Sequence, residues 1–399
     1  MNYNVNYLFK AAINVIRKNR EGIINILTEI STYKSASSEV RSSISTLKKA
    51  RIELLSSKPI NIDSLAVFHP SNVILYSFIL YVIIPRAYTK KIYMKPASVV
   101  KSQTLRIVEY FKDEFGEDFV ELCTVGQRKF TKIAKGCEFS VFTGKYENFV
   151  EVKSKAPETV HFFFGSGFNP VVVEDIVCIE KVTTDIITAR TFNSGQDCIG
   201  PDIIFVNERY KDEFRDNLVA KIRDLKIGRR DEKDTDICDY YYDSAKSFNN
   251  AYFIENYSRV SVDLRNNSLV GPVLLESDNL NEEGDIEFFG PVFNVKYYKK
   301  IEDVESILFS DRYLKRAMGL SIYGSLPSVA RLSERYTIAF DQSYIDIEDG
   351  NKPFGGYGIE ASSIHYGSVC IAKPILISED ILNGLRLKRS VKEEIEIIK

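Results

Sequence analysis

Several things are scarce in this chain, and each scarcity excludes something. Six cysteines in 399 residues are too few for a disulfide framework, and no two are spaced as a Cys-X-X-Cys pair. The three histidines, His69, His161 and His365, lie far apart, which argues against a dedicated zinc centre. Charge of one sign is missing too. Lys and Arg number 53 against 55 Asp and Glu, a formal net charge of −2, so the chain lacks a global electrostatic footprint for nucleic acid. No apolar run is long enough to span a bilayer; the most apolar stretch, residues 73–84, stops at Pro85 and reads as a buried helix or strand. Residues 1–20 have no positive start, uninterrupted apolar block or small-residue cleavage site, so no secretory signal is expected. A reduced, cytoplasmic setting follows as the expectation, one in which a thiol can be kept as a nucleophile. The dinucleotide fingerprint Gly-X-Gly-X-X-Gly after a strand is absent, as is a Gly-X4-Gly-Lys-Ser/Thr phosphate loop.

What is present is ordinary in bulk and patterned in detail. Hydrophobic residues make up 44% and charged residues 27%, a globular balance, and the length suits two packed domains or one large domain with an extension. Residues 8–47 repeat apolar side chains at helical spacing: Leu8, Ala12, Val15 and Ile16, then Ile23, Ile26, Leu27 and Ile30, then Val40, Ile44 and Leu47. Such helices cover a sheet and need no chemistry. From Ser64 the texture changes. Strand candidates at 65–68, 91–94, 120–124, 139–142 and 159–164 alternate with helical stretches at 73–84 and 103–115. A second block follows: strands at 170–173 and 203–206, helices at 175–191 and 214–225, a polar acidic loop at 276–285, and strands at 292–298, 320–323 and 337–340. An apolar strand at 369–377 precedes a charged helix running to Lys399. The alternation predicts an α/β fold with largely parallel sheets covered by helices.

Three short segments carry chemistry. Phe192-Asn193-Ser194-Gly195-Gln196-Asp197-Cys198 sets a cysteine just after a Gly-Gln turn, where backbone rather than a helix stripe holds it. Taken alone, such a cysteine is more often a small buried hydrophobe. Glu287-Phe288-Phe289-Gly290-Pro291-Val292 taken alone is a turn before a strand. Lys352-Pro353-Phe354-Gly355-Gly356-Tyr357-Gly358 places three glycines where backbone passes close to a ligand or another strand.

Together and in this order, the three segments resemble the aldehyde dehydrogenase superfamily. His69-Pro70-Ser71-Asn72, Met94-Lys95-Pro96-Ala97-Ser98, Phe142-Thr143-Gly144-Lys145 and the stretch 165–170 resemble four further segments of that family, as does the helix at 214–225 followed by Ile227-Gly228. The resemblance runs from about Asn61 to the carboxyl end, and the part before it is short for the family. It implies two Rossmann-like α/β domains and a small oligomerisation ribbon. A nicotinamide-dinucleotide domain is expected at 1–167 and a catalytic domain at 168–367. Residues 368–399 should form an oligomerisation strand and a helix, and a second ribbon strand should lie near 52–62. A homodimer or homotetramer follows, because an exposed apolar strand otherwise invites aggregation.

By resemblance, Cys198 forms a thiohemiacetal or thioester, and the Asn72 side chain with the Cys198 backbone N–H stabilises the oxyanion. On its residues alone, Asn72 reads as a helix N-cap. The cofactor implied is NAD or NADP: Lys95 bonds the adenosine ribose, Glu287 the nicotinamide ribose, Thr143, Gly144 and Lys145 lie near the pyrophosphate, and Phe289 packs near the nicotinamide. Ser98 stands where NAD-preferring members often carry a Glu that repels a 2′-phosphate, so both cofactors stay open. The main departure is Phe164, at the place of the Glu that activates water in hydrolytic members. Without a base, thioester hydrolysis should be slow by ~100- to 10,000-fold. The expected function is therefore an NAD(P)-dependent oxidoreductase of the acylating or reductive kind, with coenzyme A or another thiol as acceptor. The alternatives are ordinary aldehyde oxidation with a replacement base such as Glu360 or Asp197, and a degenerate binding or assembly subunit. Residues 77–81, 185–190 and 341–345 should line the substrate tunnel.

Overall fold

The structure, a computed structural model, describes residues 4–175, 178–280 and 286–398, with side chains to residue 393. Two seven-stranded sheets organise it. The first is built from β1 (Ile62–Phe68), β2 (Thr89–Lys95), β3 (Glu121–Leu122), β4 (Phe139–Thr143) and β5 (Val160–Phe164). The second holds β6 (Pro170–Val173), β7 (Ile203–Asn207), β8 (Val260–Asp263), β9 (Val273–Ser277), β10 (Val292–Tyr298), β11 (Gly319–Tyr323) and β12 (Thr337–Phe340). The chain then returns to the first sheet as β13 (Ser362–Tyr366) and β14 (Val369–Ala372). Every residue of β5, β10 and β11 is buried, as expected of parallel strands covered by helices on both faces. The sequence pattern places most of these strands correctly; β8, β9 and β13 escape it.

The first sheet runs β14-β13-β5-β4-β1-β2-β3. From β1 the chain winds outward through β2 and β3, then returns to pair β4 with the other side of β1. The strand order therefore reverses between β1 and β4. Parallel sheets bind ligands beyond the carboxyl ends of their strands at such a reversal. Here those ends lead into Pro70–Asn72 and Gly144-Lys145, two of the segments marked in the sequence.

The amino-terminal helices are Val5–Lys18, Arg20–Leu27 and Tyr33–Ser57. The last of these corrects the expected ribbon strand at 52–62: residues 52–57 are its final turns, closed by Lys58 in the left-handed conformation. Helical spacing governs there, since Ile52 and Leu55 face outward while Glu53 is buried. The expected second domain also ends early, because β13 pairs antiparallel with β5 of the first sheet. Nor is there one long strand over 369–377. β14 ends at Ala372, two residues before Pro374, whose nitrogen cannot donate to a ladder, and Ile377 opens the last helix, Ile377–Ile398. Residues 281–285 of the expected acidic loop and Lys399 of the expected helix lie outside the described residues. No helix among the described residues is long and apolar enough to cross a membrane.

Candidate active site

The segments carrying Cys198, Glu287 and Phe354 border one cavity of about 930 Å³, between the carboxyl ends of the first sheet and the loops of the second. The helix Ile179–Thr191 delivers the cysteine loop. Past its end Asn193 (φ 48°), Ser194 (φ 57°) and Gly195 (φ 74°) are all left-handed, a run of backbone that costs of order 1–3 kcal/mol for each non-glycine member. Its neighbours hold it. Asn193 donates from its backbone N–H to Ser35 Oγ at 2.8 Å and from its side chain to the Gln196 carbonyl at 3.0 Å. Gln196 Oε1 accepts from Tyr241 N–H at 3.0 Å, and Asn169 donates to the Cys198 carbonyl at 2.9 Å.

The two loops meet at glycine. A Cβ on Gly195 would lie 2.2 Å from the Gly290 carbonyl oxygen, so no larger residue fits while the loops stay in contact. Gly356 likewise would collide with the Ala317 carbonyl at 2.1 Å. Gly356 and Gly358 of the third segment thus admit protein backbone, Gly355 packs on the Ser362 side chain, and Phe354 borders the cavity.

Arg190, the last residue of the expected tunnel segment 185–190, does not line the cavity but ties these loops from beneath. It is 1% exposed and without a carboxylate bonded to it. Nε donates to the Gly290 carbonyl at 3.0 Å, Nη1 to Pro201 at 3.1 Å, and Nη2 to Gly195 at 3.2 Å, to Gly290 at 2.6 Å and to Phe288.

Both expected oxyanion donors are unengaged. The Asn72 side chain borders the cavity with no hydrogen-bond partner among the described residues, and the Cys198 N–H donates to no other residue. Asn72 is not the N-cap that its type suggested. That position belongs to Val73, a β-branched residue at φ 42°, and Glu39 from the helix Tyr33–Ser57 caps the turn instead. Its Oε1 accepts from Leu75 N–H at 2.6 Å and Tyr76 N–H at 3.1 Å. Burial lifts the Glu39 carboxyl to about 7.

Thr143, Gly144 and Lys145 line the cavity, at the start of the helix Tyr146–Lys155, whose first turn has no side-chain cap. Glu287 and Phe289 line it as well; Glu287 accepts from Arg316 at 3.0 Å. Lys95 and Ser98 do not line it. Lys95 ends β2 and donates to its neighbour Pro96 at 3.2 Å, and Ser98 begins the turn Ser98–Val100. Of the expected tunnel segments, Ser77, Leu80, Tyr81, Thr188 and Ile345 reach the cavity.

Phe164, the last residue of β5, forms part of the wall, stacked on Tyr81 (5.4 Å between centroids) and near Phe354 (6.3 Å). Glu360 is absent from the lining, whereas Asp197 borders it with its carboxyl raised to about 6 by burial. The Cys198 thiol is pushed well above its ordinary value, first by burial and then by the charges of Asp197, Glu287 and Glu348. The resting sulfur is therefore a neutral thiol, and bond formation requires a place for its proton.

Fold and site together define a class: an α/β protein of two parallel-rich sheets, with a loop-held cysteine in the cleft between them. The family profile described as "Aldehyde dehydrogenase family" matches residues 6–318, and the chain belongs to that family. A lactaldehyde dehydrogenase of Methanococcus aeolicus is 28% identical over 163 residues, 39% of this chain and 34% of that protein. The chain thus spans about a third of that relative's length in the match. In fold it is similar to the glyceraldehyde-3-phosphate dehydrogenase GapN of Methanocaldococcus jannaschii, solved with NADP: TM-score 0.77, 18% identity, 93% of this chain and 91% of that one. Aldehyde dehydrogenase 21 of Physcomitrella patens, solved with succinate, gives a TM-score of 0.80 at 18% identity, covering 94% and 83%.

Proposed function

We propose that the chain is an NAD(P)-dependent oxidoreductase acting on an aldehyde or activated acyl group through a bond to Cys198. It passes the acyl group to a thiol such as coenzyme A, or reduces it, rather than handing it to water. The observation that carries this reading is Phe164. It closes the cavity wall with an aromatic ring, packed on Tyr81, where a water-activating carboxylate would be needed.

The cavity's polar end fits a dinucleotide. The uncapped N–H groups at the start of Tyr146–Lys155 favour a pyrophosphate, and Lys145 adds a positive charge. Glu287 and Phe289 would hold the nicotinamide end, and Lys95 and Ser98 the adenosine ribose, beyond the cavity around Cys198. When bound, the cofactor supplies the hydride acceptor or donor. Cys198 bonds the carbonyl carbon; Asn72 and the Cys198 N–H, both unengaged, take the developing oxyanion. Tyr81, Phe164 and Phe354 exclude water from the acyl group.

A second reading, oxidation to the free acid with Asp197 as base, is favoured by that residue's place in the lining. Product analysis separates the two. The chain is incubated with unbranched aldehydes of increasing length and NAD⁺ or NADP⁺, with and without coenzyme A. A thioester that forms only with the thiol present is expected; free acid made equally fast without it overturns the first reading. Phe164→Glu should divert product to the acid, raising hydrolysis ~100-fold.

A further inference from the structure

Three carboxyls place charge on the Cys198 thiol: Asp197, Glu287 and Glu348. Two are committed elsewhere. Asp197 accepts the Ile199 N–H at 3.0 Å, and Glu287 is bonded to Arg316 at 3.0 Å and to Ser166. Glu348 has no hydrogen bond or ion pair among the described residues. It lies on the segment just before Phe354-Gly355-Gly356, with its side chain solvent-accessible. Glu348 lines the same cavity as Cys198, so that accessible surface borders the space in which the sulfur reacts. Without an ion pair or hydrogen bond to hold it, its carboxyl is left to act on whatever occupies that space.

We propose that Glu348 is the proton-transfer residue for Cys198. It takes the thiol proton as the carbon–sulfur bond forms and returns it when that bond breaks. The inference rests on the reading that Cys198 carries the acyl group. With an acyl ester, the thiol proton passes to Glu348 as the Cys198 sulfur bonds the carbonyl carbon; the carbon–oxygen bond then breaks, the alkoxide or phenoxide leaves with the electron pair, and Glu348 gives the proton on to it or to water and is a carboxylate again. With a thiol acceptor, Glu348 takes the acceptor's proton, the new carbon–sulfur bond forms, the bond to Cys198 breaks, and Cys198 regains a proton. Nothing is oxidised or reduced in either half. The carboxyl's place, raised by burial to about 8, suits both directions near neutral pH. The groups facing it are Asp197 and Cys198 on the cysteine loop, Asp349 beside it, Tyr76 and Tyr81 on the helix segment below, and Tyr344.

The test needs neither dinucleotide nor natural substrate. The full chain is mixed with p-nitrophenyl acetate, and p-nitrophenolate release is followed as a burst (acylation) and a steady rate set by 2-mercaptoethanol (transfer). Glu348→Gln should slow both phases ~100-fold or more. The wild-type burst rate should climb as pH passes about 8, where the Glu348 carboxylate forms, and that limb should vanish in the variant. Iodoacetamide labelling of Cys198, which consumes thiolate alone, should not slow, since removing a nearby negative charge eases ionisation. Both phases within about threefold of wild type would overturn the proposal. If Glu348→Gln does not fold, Glu348→Asp decides in the same way: its shorter arm should slow both phases while labelling is kept, and unchanged phases overturn the inference. A burst that survives Cys198→Ser refutes the cysteine reading and this inference together. A chain that transfers acetyl groups but turns over no aldehyde refutes the oxidoreductase reading and leaves Glu348 standing.

Discussion

Arg190 shows how a single side chain can set a site without reaching it. Its guanidinium carries five donors in a rigid plane, and all of its bonds go to backbone carbonyls of the two loops that meet at Gly195 and Gly290. Burial presses its pKa down, while the charges of Asp202 and Glu287 oppose the shift. Arg190→Met keeps the length and apolar stem but leaves those carbonyls without donors. A loss of about 3–5 kcal/mol is expected, since a buried charged hub is removed with its partners left in place. Urea denaturation measures it, and a loss below about 1 kcal/mol would mean that water replaces the guanidinium at little cost. Arg190 also marks a limit of sequence reading. Cys198, Glu287 and Phe354 stand in segments whose composition is unusual for a helix or strand, so they were visible. An arginine on a helix is statistically a surface residue, and only the fold reveals that this one is 1% exposed. Glu348 was hidden for the same reason, within an acidic stretch that reads as solvated.

The elements themselves were largely legible, because the strands are apolar runs of the right length bounded by turns, and period decides between strand and helix. Legibility fails where tertiary contacts override local pattern. Residues 73–84 form a short α-helix, Ile74–Phe78, followed by a π turn, Ile79–Ile83, and the cap comes from a residue far back in the chain. Glu39 sits on the helix Tyr33–Ser57, in a polar stretch with no motif around it. Its carboxyl, raised from the ordinary 4.5 to about 7, makes this element pH-sensitive in a defined direction. A folded-state value above the unfolded one means that the native state holds the extra proton. The stabilisation is fully present below about 4.5 and is lost as pH rises through about 7. The span is worth on the order of 3 kcal/mol. Glu39→Gln cannot ionise and still offers an oxygen to Leu75 and Tyr76. Relative to wild type it should gain stability as pH is raised from 5 to 8, by about 2–3 kcal/mol. Thermal unfolding of both proteins across that range checks this. Parallel curves would place the raised pKa elsewhere.

At the scale of the whole molecule, the two edges of the first sheet are treated differently. One ends in β3, only two residues long and so a poor template for further pairing. The other ends in β14, four residues with an open ladder edge, on which Val369 (37%) and Ile371 (39%) are exposed. The expected ribbon is thus reduced to a hairpin, β13 and β14, fused to the sheet that carries the polar end of the cavity. An apolar edge without a Pro or a charge among Val369-Cys370-Ile371-Ala372 has none of the usual guards against pairing. A second copy of the chain meets that demand most simply, by extending the sheet across a two-fold axis. Light scattering at micromolar concentration is therefore expected to give the mass of a dimer or tetramer. Ile371→Lys places a charge on the open edge without touching the strand's inner partners, and should shift the mass to that of a single chain. Because β13 bonds directly to β5, whose last residue is Phe164 in the cavity wall, loss of the partner should also lower Cys198 acylation. A wild-type chain that stays monomeric throughout, with acylation indifferent to Ile371→Lys, would show that β14 needs no cover.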